Sequence, residues 1–379
     1  MKVFIVTYYF PKLTETFILD RITKLLDKGI DITIIAISNT EGKTFYEDSK
    51  PESIKHKEID KYELDKRTVY LNSTDPKNFE NEMISRKPDI IHFQWAFLAE
   101  ELLNGTEIDI PILVNYHETQ LPNTWKHAKD ILQYRNVIKH ASLLLPTSNY
   151  IKNWLLQLGC PEQKLLLHFT GTDTNKFKPF DSDGSKVRKQ NRVNIVTNGS
   201  FIEKKGHEYS LHALKILTEQ NVTNFEFLII GSGRLEPIYK KLIEEYSLKD
   251  QITFLGRLDK DNVVATYQNS DIFLLPSVTG YDNSEEGLPV AMIEAASCGL
   301  PIVATMHTGS PDLVKQGMNG FLASERNPFA LAEYLNKLIS DQNLRQNMGK
   351  EGRNIVKELF DLDKLVNDSI ALYTRLLKK

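Results

Sequence analysis

VFIVTYYFPKLTETFILDRITKLLDKGIDITIIAI, residues 3–37, changes its hydrophobic period twice in a short span. Val3–Thr7 is a short apolar run. From about Thr14 the apolar residues recur at Ile18, Ile22, Leu25 and Leu26, which is one face of a helix. Gly29 stops that helix, and Ile32–Ile37 is a second apolar run. A strand, a helix and a strand at this spacing predict parallel pairing through a crossover helix. The runs are nearly continuous rather than alternating, as expected when helices cover both faces of a sheet. Comparable runs stand at Ile90–Phe93, Ile112–Tyr116, Ser142–Pro146 and Leu165–Phe169. Residues 43–67 interrupt the series with seven basic and seven acidic side chains, which reads as a solvated excursion or a short exposed helix.

Further along, NKFKPFDSDGSKVRKQ (Asn175–Gln190) is polar, holds Pro and Gly, and lacks apolar periodicity. That composition marks a boundary. A second series follows, with strands expected at Val193–Thr197, Phe227–Ile230, Ile252–Leu255, Ile272–Leu275 and Ile302–Ala304. Helices are expected over Lys205–Thr218, Leu235–Tyr246, Val290–Ala296 and Pro328–Ile339, then Leu344–Glu358 and Leu365–Leu377. The fold class is therefore α/β with two doubly wound, Rossmann-like domains. The first spans 1–175, a linker 176–189 follows, the second spans 190–355, and a C-terminal helical segment, 356–379, is expected to pack back on the first. Ligands of such sheets bind past the carboxyl ends of the strands, so the site is expected where the two domains face each other across a cleft.

Composition narrows the class. In 379 residues, 41 % are apolar and 26 % charged, the profile of a soluble globular protein. A net charge of −3 gives no support for a nucleic-acid partner. The two cysteines, Cys160 and Cys298, are too few for a disulfide framework or a cysteine-rich metal site and read as small buried thiols in a reducing compartment. No signal-peptide pattern and no apolar window long enough to span a bilayer is predicted. A cytoplasmic location is expected.

The chemistry gathers at predicted strand ends. Glu285-Glu-Gly-Leu-Pro-Val-Ala-Met-Ile-Glu294 follows the run Asp271–Ser277. Pro289 fits a first helical turn, and Glu294 lies one turn into the helix from Val290. Glu286 and Glu294 can then face different parts of one ligand and accept hydrogen bonds from its hydroxyls; a capping or solvent-facing pair has the same spacing. Gly199-Ser-Phe-Ile-Glu-Lys-Lys205-Gly206 joins a strand to a helix start. There, free N–H groups and a lysine charge suit a phosphate, although a surface loop looks similar. Gly231-Ser-Gly-Arg234 permits close backbone approach to a nucleotide, or serves as a left-handed turn. It is not the full dinucleotide fingerprint, so no nicotinamide or flavin cofactor is expected. Gly309 and Ser310 can offer N–H groups to an anion, and His307 beside them reads equally as a loop histidine. In the first domain, Thr14–Thr16, His117 and Glu118 follow strands. His92, inside its apolar run, reads as a core histidine. Asp20 and Arg21 read as surface or helix-pairing residues.

These phrases resemble the retaining glycosyltransferases of family 4, which have the GT-B fold. The likeness extends over nearly the whole chain. FPKLTETFILDRI (Phe10–Ile22) is similar to the opening of a bacterial subgroup acting in exopolysaccharide, colanic-acid-like and O-antigen assembly. KKGHEYSLHAL, GSGRLEP, SEEGLPVAMIEAASCGLPIVAT and HTGSPDLVKQGMNGFL continue it. The resemblance implies a hexose donor carried on a nucleoside diphosphate, UDP before GDP-mannose. It implies retention without a metal or other cofactor, with the leaving phosphate helping to deprotonate the acceptor. By match, Glu294 binds the donor ribose, Glu286 approaches the sugar hydroxyls, and Gly287, Leu288 and Pro289 lie near sugar and phosphate. Lys205 takes the diphosphate, Gly231 and Arg234 lie around the nucleotide, and His117 approaches the transferred sugar. Ser200 stands at a donor-contacting position where many members carry arginine, which removes a bidentate phosphate donor; Lys204, Lys205 or Arg234 is left to supply the charge. The implied acceptor is lipid-linked or polysaccharide, with peripheral contact at the inner face of the cytoplasmic membrane. A glycolipid or small soluble acceptor, a nucleotide-sugar epimerase and a non-catalytic sugar-binding protein are the competing readings. The retained Lys205, Glu286 and Glu294 set argues against the last.

Overall fold

The computed structural model describes residues 1–11, 15–37, 57–117, 128–180 and 192–378. Among the described residues, twelve strands form two six-stranded sheets, each parallel throughout. The first holds β1 (Lys2–Thr7), β2 (Asp31–Ile37), β3 (Thr68–Leu71), β4 (Ile90–Phe93), β5 (Ile112–Tyr116) and β6 (Leu143–Pro146) in the order β3-β2-β1-β4-β5-β6. The second holds β7 (Val193–Asn198), β8 (Phe225–Ile230), β9 (Ile252–Gly256), β10 (Ile272–Leu275), β11 (Ile302–Thr305) and β12 (Gly320–Ala323) in the order β12-β11-β10-β7-β8-β9. In both, the chain runs outward from an inner strand to one edge and then returns to build the other. The reversal falls between β1 and β4 in the first sheet and between β7 and β10 in the second.

Two compact units carry these sheets. Met1–His117, Thr124–Thr170 and Leu362–Lys379 belong to the first, and Gly171–Asp361 to the second. The final helix, Leu362–Leu377, lies in the first unit against the helix Thr16–Asp27, where Lys24 Nζ meets Asp363 at 3.0 Å. Leu362, Val366, Leu372 and Tyr373 join Ile18, Ile22 and Leu25 in its core. In the second unit, the helices His207–Glu219 and Pro328–Ser340 pack on each other and close a core of Leu211, Leu214, Leu331 and Leu335 over Ile195 and Phe227. The buried thiols of Cys160 and Cys298 lie in different units, both unbonded.

Two expectations are corrected. Leu165–Phe169 is not a strand of the sheet: a short 3-10 turn, Glu162–Lys164, leads into extended chain that makes one bridge, Leu165 to Leu144. Its apolar residues pack beside β6 without a continuous ladder. Arg21 is not a surface residue. It falls in the same stripe as Ile18, Ile22 and Leu25 and is 4 % exposed. Its Nη2 donates to the Phe169 carbonyl at 3.4 Å and lies 3.5 Å from His168 Nδ1. In the excursion at 43–67, the described part carries two short helices, Lys57–Lys61 and Leu64–Arg67; the rest lies outside the described residues.

The buried polar groups of the first unit predict an acid sensitivity. His92 Nδ1 meets Tyr373 Oη at 2.7 Å, and His168 Nε2 donates to the Leu365 carbonyl at 3.2 Å. Burial first, then the Arg21 charge, pushes both imidazoles down to about 3. The same causes hold His117 well below its usual range. The unfolded chain therefore binds more protons than the native unit at every pH from about 6.5 down to the native values, so stability falls with pH across that window. Each histidine contributes up to about 1.4 kcal/mol per pH unit. Urea unfolding monitored at pH 7.5, 6 and 5 is expected to show falling stability below 6.5, with a shallower slope in His168→Gln. A flat profile would contradict neutral burial.

Candidate active site

The carboxyl ends of the second sheet gather the site residues. β7 and β10 are hydrogen-bonded neighbours at the point where the strand order reverses, the place where open α/β sheets hold ligands. Lys205 follows β7, Glu286 follows β10, His307 follows β11 and Glu325 follows β12.

Backbone contact brings the first two together. Gly206 has φ +65°, and a Cβ there would stand 1.9 Å from the Pro276 carbonyl oxygen. Only glycine combines that conformation with that approach. The Val278 N–H donates to the Lys204 carbonyl at 2.9 Å, fastening the two loops. Lys205 Nζ then donates to Glu286 Oε2 at 2.7 Å, and Lys204 Nζ lies 3.4 Å from Oε1. Burial by itself would raise the Glu286 carboxyl, but the charges of Lys205 and Lys204 reverse this and hold it at about 2. It is ionised at neutral pH. Its Oε1 is buried, makes no hydrogen bond among the described residues and faces the Lys204 ammonium.

The main chain beside Glu286 is also fixed. Its N–H donates to His307 Nε2 at 3.1 Å, and His307 Nδ1 meets Glu325 Oε1 at 2.6 Å. The Gly287 carbonyl accepts from Thr308 Oγ1 at 2.8 Å and from the Gly309 N–H at 3.2 Å. A trans peptide points its C=O and N–H in opposite directions, so the Leu288 N–H faces away from the His307 loop. Neither the Gly287 nor the Leu288 N–H finds an acceptor among the described residues. Pro289 has no N–H and is the N-cap of the helix Val290–Ser297 rather than a residue of its first turn. Glu294 lies within that helix and is buried beside Tyr267, whose phenol is pushed up by burial first and then by the Glu294 charge.

The other expected positions of this unit make the following local contacts. Gly231 is not in a left-handed turn: its φ is +131°, and a Cβ would come within 2.1 Å of the Gly199 carbonyl oxygen. At Gly233 a Cβ would meet the Phe201 backbone at 2.7 Å. These two glycines let the loops after β7 and β8 pack backbone on backbone, and the Phe201 N–H donates to the Ser232 carbonyl at 2.9 Å. Ser200 lies in that loop. Arg234 reaches into solvent and pairs with Glu203.

In the first unit, His117 follows β5. Its Nδ1 meets Thr170 Oγ1 at 3.2 Å, and its ring lies 4.8 Å from Phe17 and 5.3 Å from Trp95. Its Nε2 has no partner among the described residues. Glu15 and Thr16 open the helix after β1; Thr14 and Glu118 lie outside the described residues. Among the described residues no cluster of His, Cys, Asp and Glu could hold a metal ion, and no helix is long and apolar enough to cross a membrane. Sequence reading missed Glu325 and the Lys204 contact to Glu286. The pairing of Glu325 with His307 has no local signal, because each is set by a different strand end.

Two parallel Rossmann-like sheets of this topology define the GT-B class. A solved structure of Anabaena Alr3699/HepE in complex with UDP superposes with a TM-score of 0.80 at 18 % identity, covering 99 % of both chains. The family description "Glycosyltransferase Family 4" matches residues 14–176 and "Glycosyl transferases group 1" residues 180–355. The chain belongs to the family 4 glycosyltransferases and is a transferase. It is 29 % identical over 388 residues to the amylovoran biosynthesis glycosyltransferase AmsK of Erwinia amylovora, covering 89 % of this chain and 90 % of AmsK. Over 374 residues it is 28 % identical to Escherichia coli K12 WcaL, provisionally named a colanic acid biosynthesis glycosyltransferase, covering 88 % of this chain and 90 % of WcaL.

Proposed function

We propose that this chain is a retaining transferase that moves a hexose from a nucleoside diphosphate sugar, UDP-linked before GDP-mannose, to a lipid-linked or polysaccharide acceptor in cell-surface polysaccharide assembly. The observation that carries this reading is the partly buried Lys205–Glu286 pair at the reversal point of the second sheet. It sets a cation for a diphosphate beside an ionised carboxylate, the kind of acceptor that sugar hydroxyls donate to. The Gly287 and Leu288 N–H groups add two donors for the charge that grows on the leaving phosphate. Glu294 is assigned to the ribose, and Gly231, Arg234, Ser200 and Pro289 to the surroundings of the nucleotide. The second unit takes the donor; the first takes the acceptor, with His117 as its site residue. No residue is assigned as a covalent nucleophile; the leaving phosphate accepts the acceptor's proton on the same face of the sugar. The UDP complex of HepE and the naming of AmsK and WcaL support the donor and the pathway class.

The test is a calorimetric screen of UDP-glucose, UDP-galactose, UDP-N-acetylglucosamine and GDP-mannose, followed by transfer assays on lipid-linked oligosaccharides with the product anomer read by NMR. One donor is expected to bind and be transferred with retention. An inverted product, or folded protein that binds none of them, overturns the reading. With acceptor-bearing vesicles the protein is expected to float with the lipid; recovery only in the soluble fraction points to a soluble acceptor.

A further inference from the structure

The hydrogen bonds around His307 determine its proton. Nε2 faces the Glu286 N–H at 3.1 Å and must accept. Nδ1 faces a carboxylate oxygen of Glu325 at 2.6 Å and must donate. The ring is thus a neutral imidazole with its proton on Nδ1, set from both sides. Glu325 is itself held, because its Oε2 accepts from the Thr279 N–H at 3.0 Å and lies 3.5 Å from Arg326 Nη1. Arg326 in turn donates to the Thr279 carbonyl. The ring is 1 % exposed, so it is braced within the unit and has no open face for a ligand.

The segment after His307 is strained in the same direction. Thr308 has φ +36°, a conformation that a β-branched residue adopts only when its surroundings impose it. That backbone places its hydroxyl on the Gly287 carbonyl. Three hydrogen bonds therefore tie residues 286–287 to residues 307–309: one ends on Glu286, whose carboxylate meets Lys205, and two on the adjoining Gly287 carbonyl.

We propose that His307, fixed by Glu325, is a positioning residue that sets the main chain at Glu286 and so aims the Glu286 carboxylate at the transferred sugar. Neither residue touches the donor. This rests on the reading of Glu286 as the sugar contact, and the experiment separates the two.

Three substitutions at His307 and Glu325 divide the bond pattern. His307→Asn places its amide near the Nδ1 position, keeping a donor to Glu325 and losing the acceptor for the Glu286 N–H. His307→Gln places its amide near Nε2 and can restore that acceptor. Glu325→Leu removes the orienting carboxylate. On variants shown to be folded by their melting temperatures, titrations use UDP and UDP-glucose, or GDP and GDP-mannose where the guanosine pair binds more tightly. His307→Asn is expected to lose about tenfold or more in intact-donor affinity and in kcat, with free diphosphate binding within about threefold of the parent. Glu325→Leu follows it to a smaller extent, and His307→Gln recovers part of the loss. The double variant His307→Asn/Glu286→Gln is expected to be no worse than Glu286→Gln alone, since a residue acting through another adds nothing once that other is gone. Additive losses in the double variant overturn the proposal, as does a parallel fall in free diphosphate and intact-donor binding, which marks a merely structural role. If Glu286→Gln itself fails to separate intact donor from free diphosphate, the sugar-contact reading fails, and the positioning proposal built on it fails as well.

Discussion

Lys205→Ala is expected to weaken binding of the free nucleoside diphosphate by about tenfold or more and to lower kcat on the order of 100-fold. Two separate roles produce the two losses. In the bound ground state the ammonium meets an anion, and a charge-assisted contact of that kind is worth roughly 1.5–3 kcal/mol. In the transition state the bond to the leaving phosphate breaks and its charge grows. Removing a single pre-placed donor from such a site typically costs a factor of about 100–1000 in turnover. The structure adds a complication: Lys205 also compensates the buried Glu286 at 2.7 Å. Its loss leaves that carboxylate with Lys204 at 3.4 Å, and an under-compensated buried charge is itself destabilising. Lys205→Ala/Glu286→Gln separates the effects. If Lys205 acts on the diphosphate, free diphosphate binding stays weak in the double variant. Recovery there to the parent affinity would show that Lys205 serves only to neutralise Glu286.

The repeated strand–helix alternation was legible because inner parallel strands are buried on both faces and read as unbroken apolar runs. Ile90–Phe93 and Ile272–Leu275 coincide with β4 and β10 for that reason. The edge strands escaped it. In TVYL, Thr68–Leu71, only Leu71 is buried and Tyr70 is half-exposed, and GFLA, Gly320–Ala323, opens on a glycine, so neither reads as a run of bulky apolar residues. The helix Pro76–Arg86 carries a start signal, since Asp75 Oδ1 accepts from the Lys77 N–H at 3.0 Å and Pro76 takes the first turn. Its weak apolar face hid it. Leu165–Phe169 shows the converse error, an apolar run that meets β6 at one bridge without forming a ladder.

At the candidate site, the sequence identified residues that follow strands, because a doubly wound sheet sends every such loop to one edge. It could not say which loops touch. The Gly206 approach to Pro276 decides that the β7 and β10 loops meet, and with it that Lys205 reaches Glu286. Glu325 stands 18 residues from His307 along the chain, and only the pairing of β11 with β12 brings them together. The surface reading of Arg21 gave its charge more weight than its place in the stripe; the partners that make its burial tolerable, the Phe169 carbonyl and His168, lie well over a hundred residues away.

Glu286→Gln is expected to divide the donor into its two halves. The amide keeps the shape of the side chain and loses the charge that holds Lys205 and Lys204. Before a diphosphate can take Lys205, the 2.7 Å contact to Glu286 must loosen, so the carboxylate competes with the anion for the same cation. Removing it leaves the free nucleoside diphosphate bound as tightly as before or somewhat more tightly. The sugar half behaves oppositely. An ionised carboxylate accepts strongly from hydroxyls, and a neutral amide oxygen accepts less strongly while its NH2 presents a donor where an acceptor is required. Intact-donor affinity is expected to fall relative to the free diphosphate, and transfer to fall about tenfold or more. In the unliganded site Lys205 and Lys204 hold the Glu286 carboxyl at about 2, and Lys204 remains beside it when Lys205 turns to the diphosphate, so the size of that defect is expected to stay constant between pH 6 and pH 8. A defect that shrank toward acid pH would mean that the residue works as a titrating acid or base instead of a fixed acceptor. Isothermal titration with diphosphate and intact donor at both pH values decides it, and equal weakening of the two ligands would remove Glu286 from the sugar.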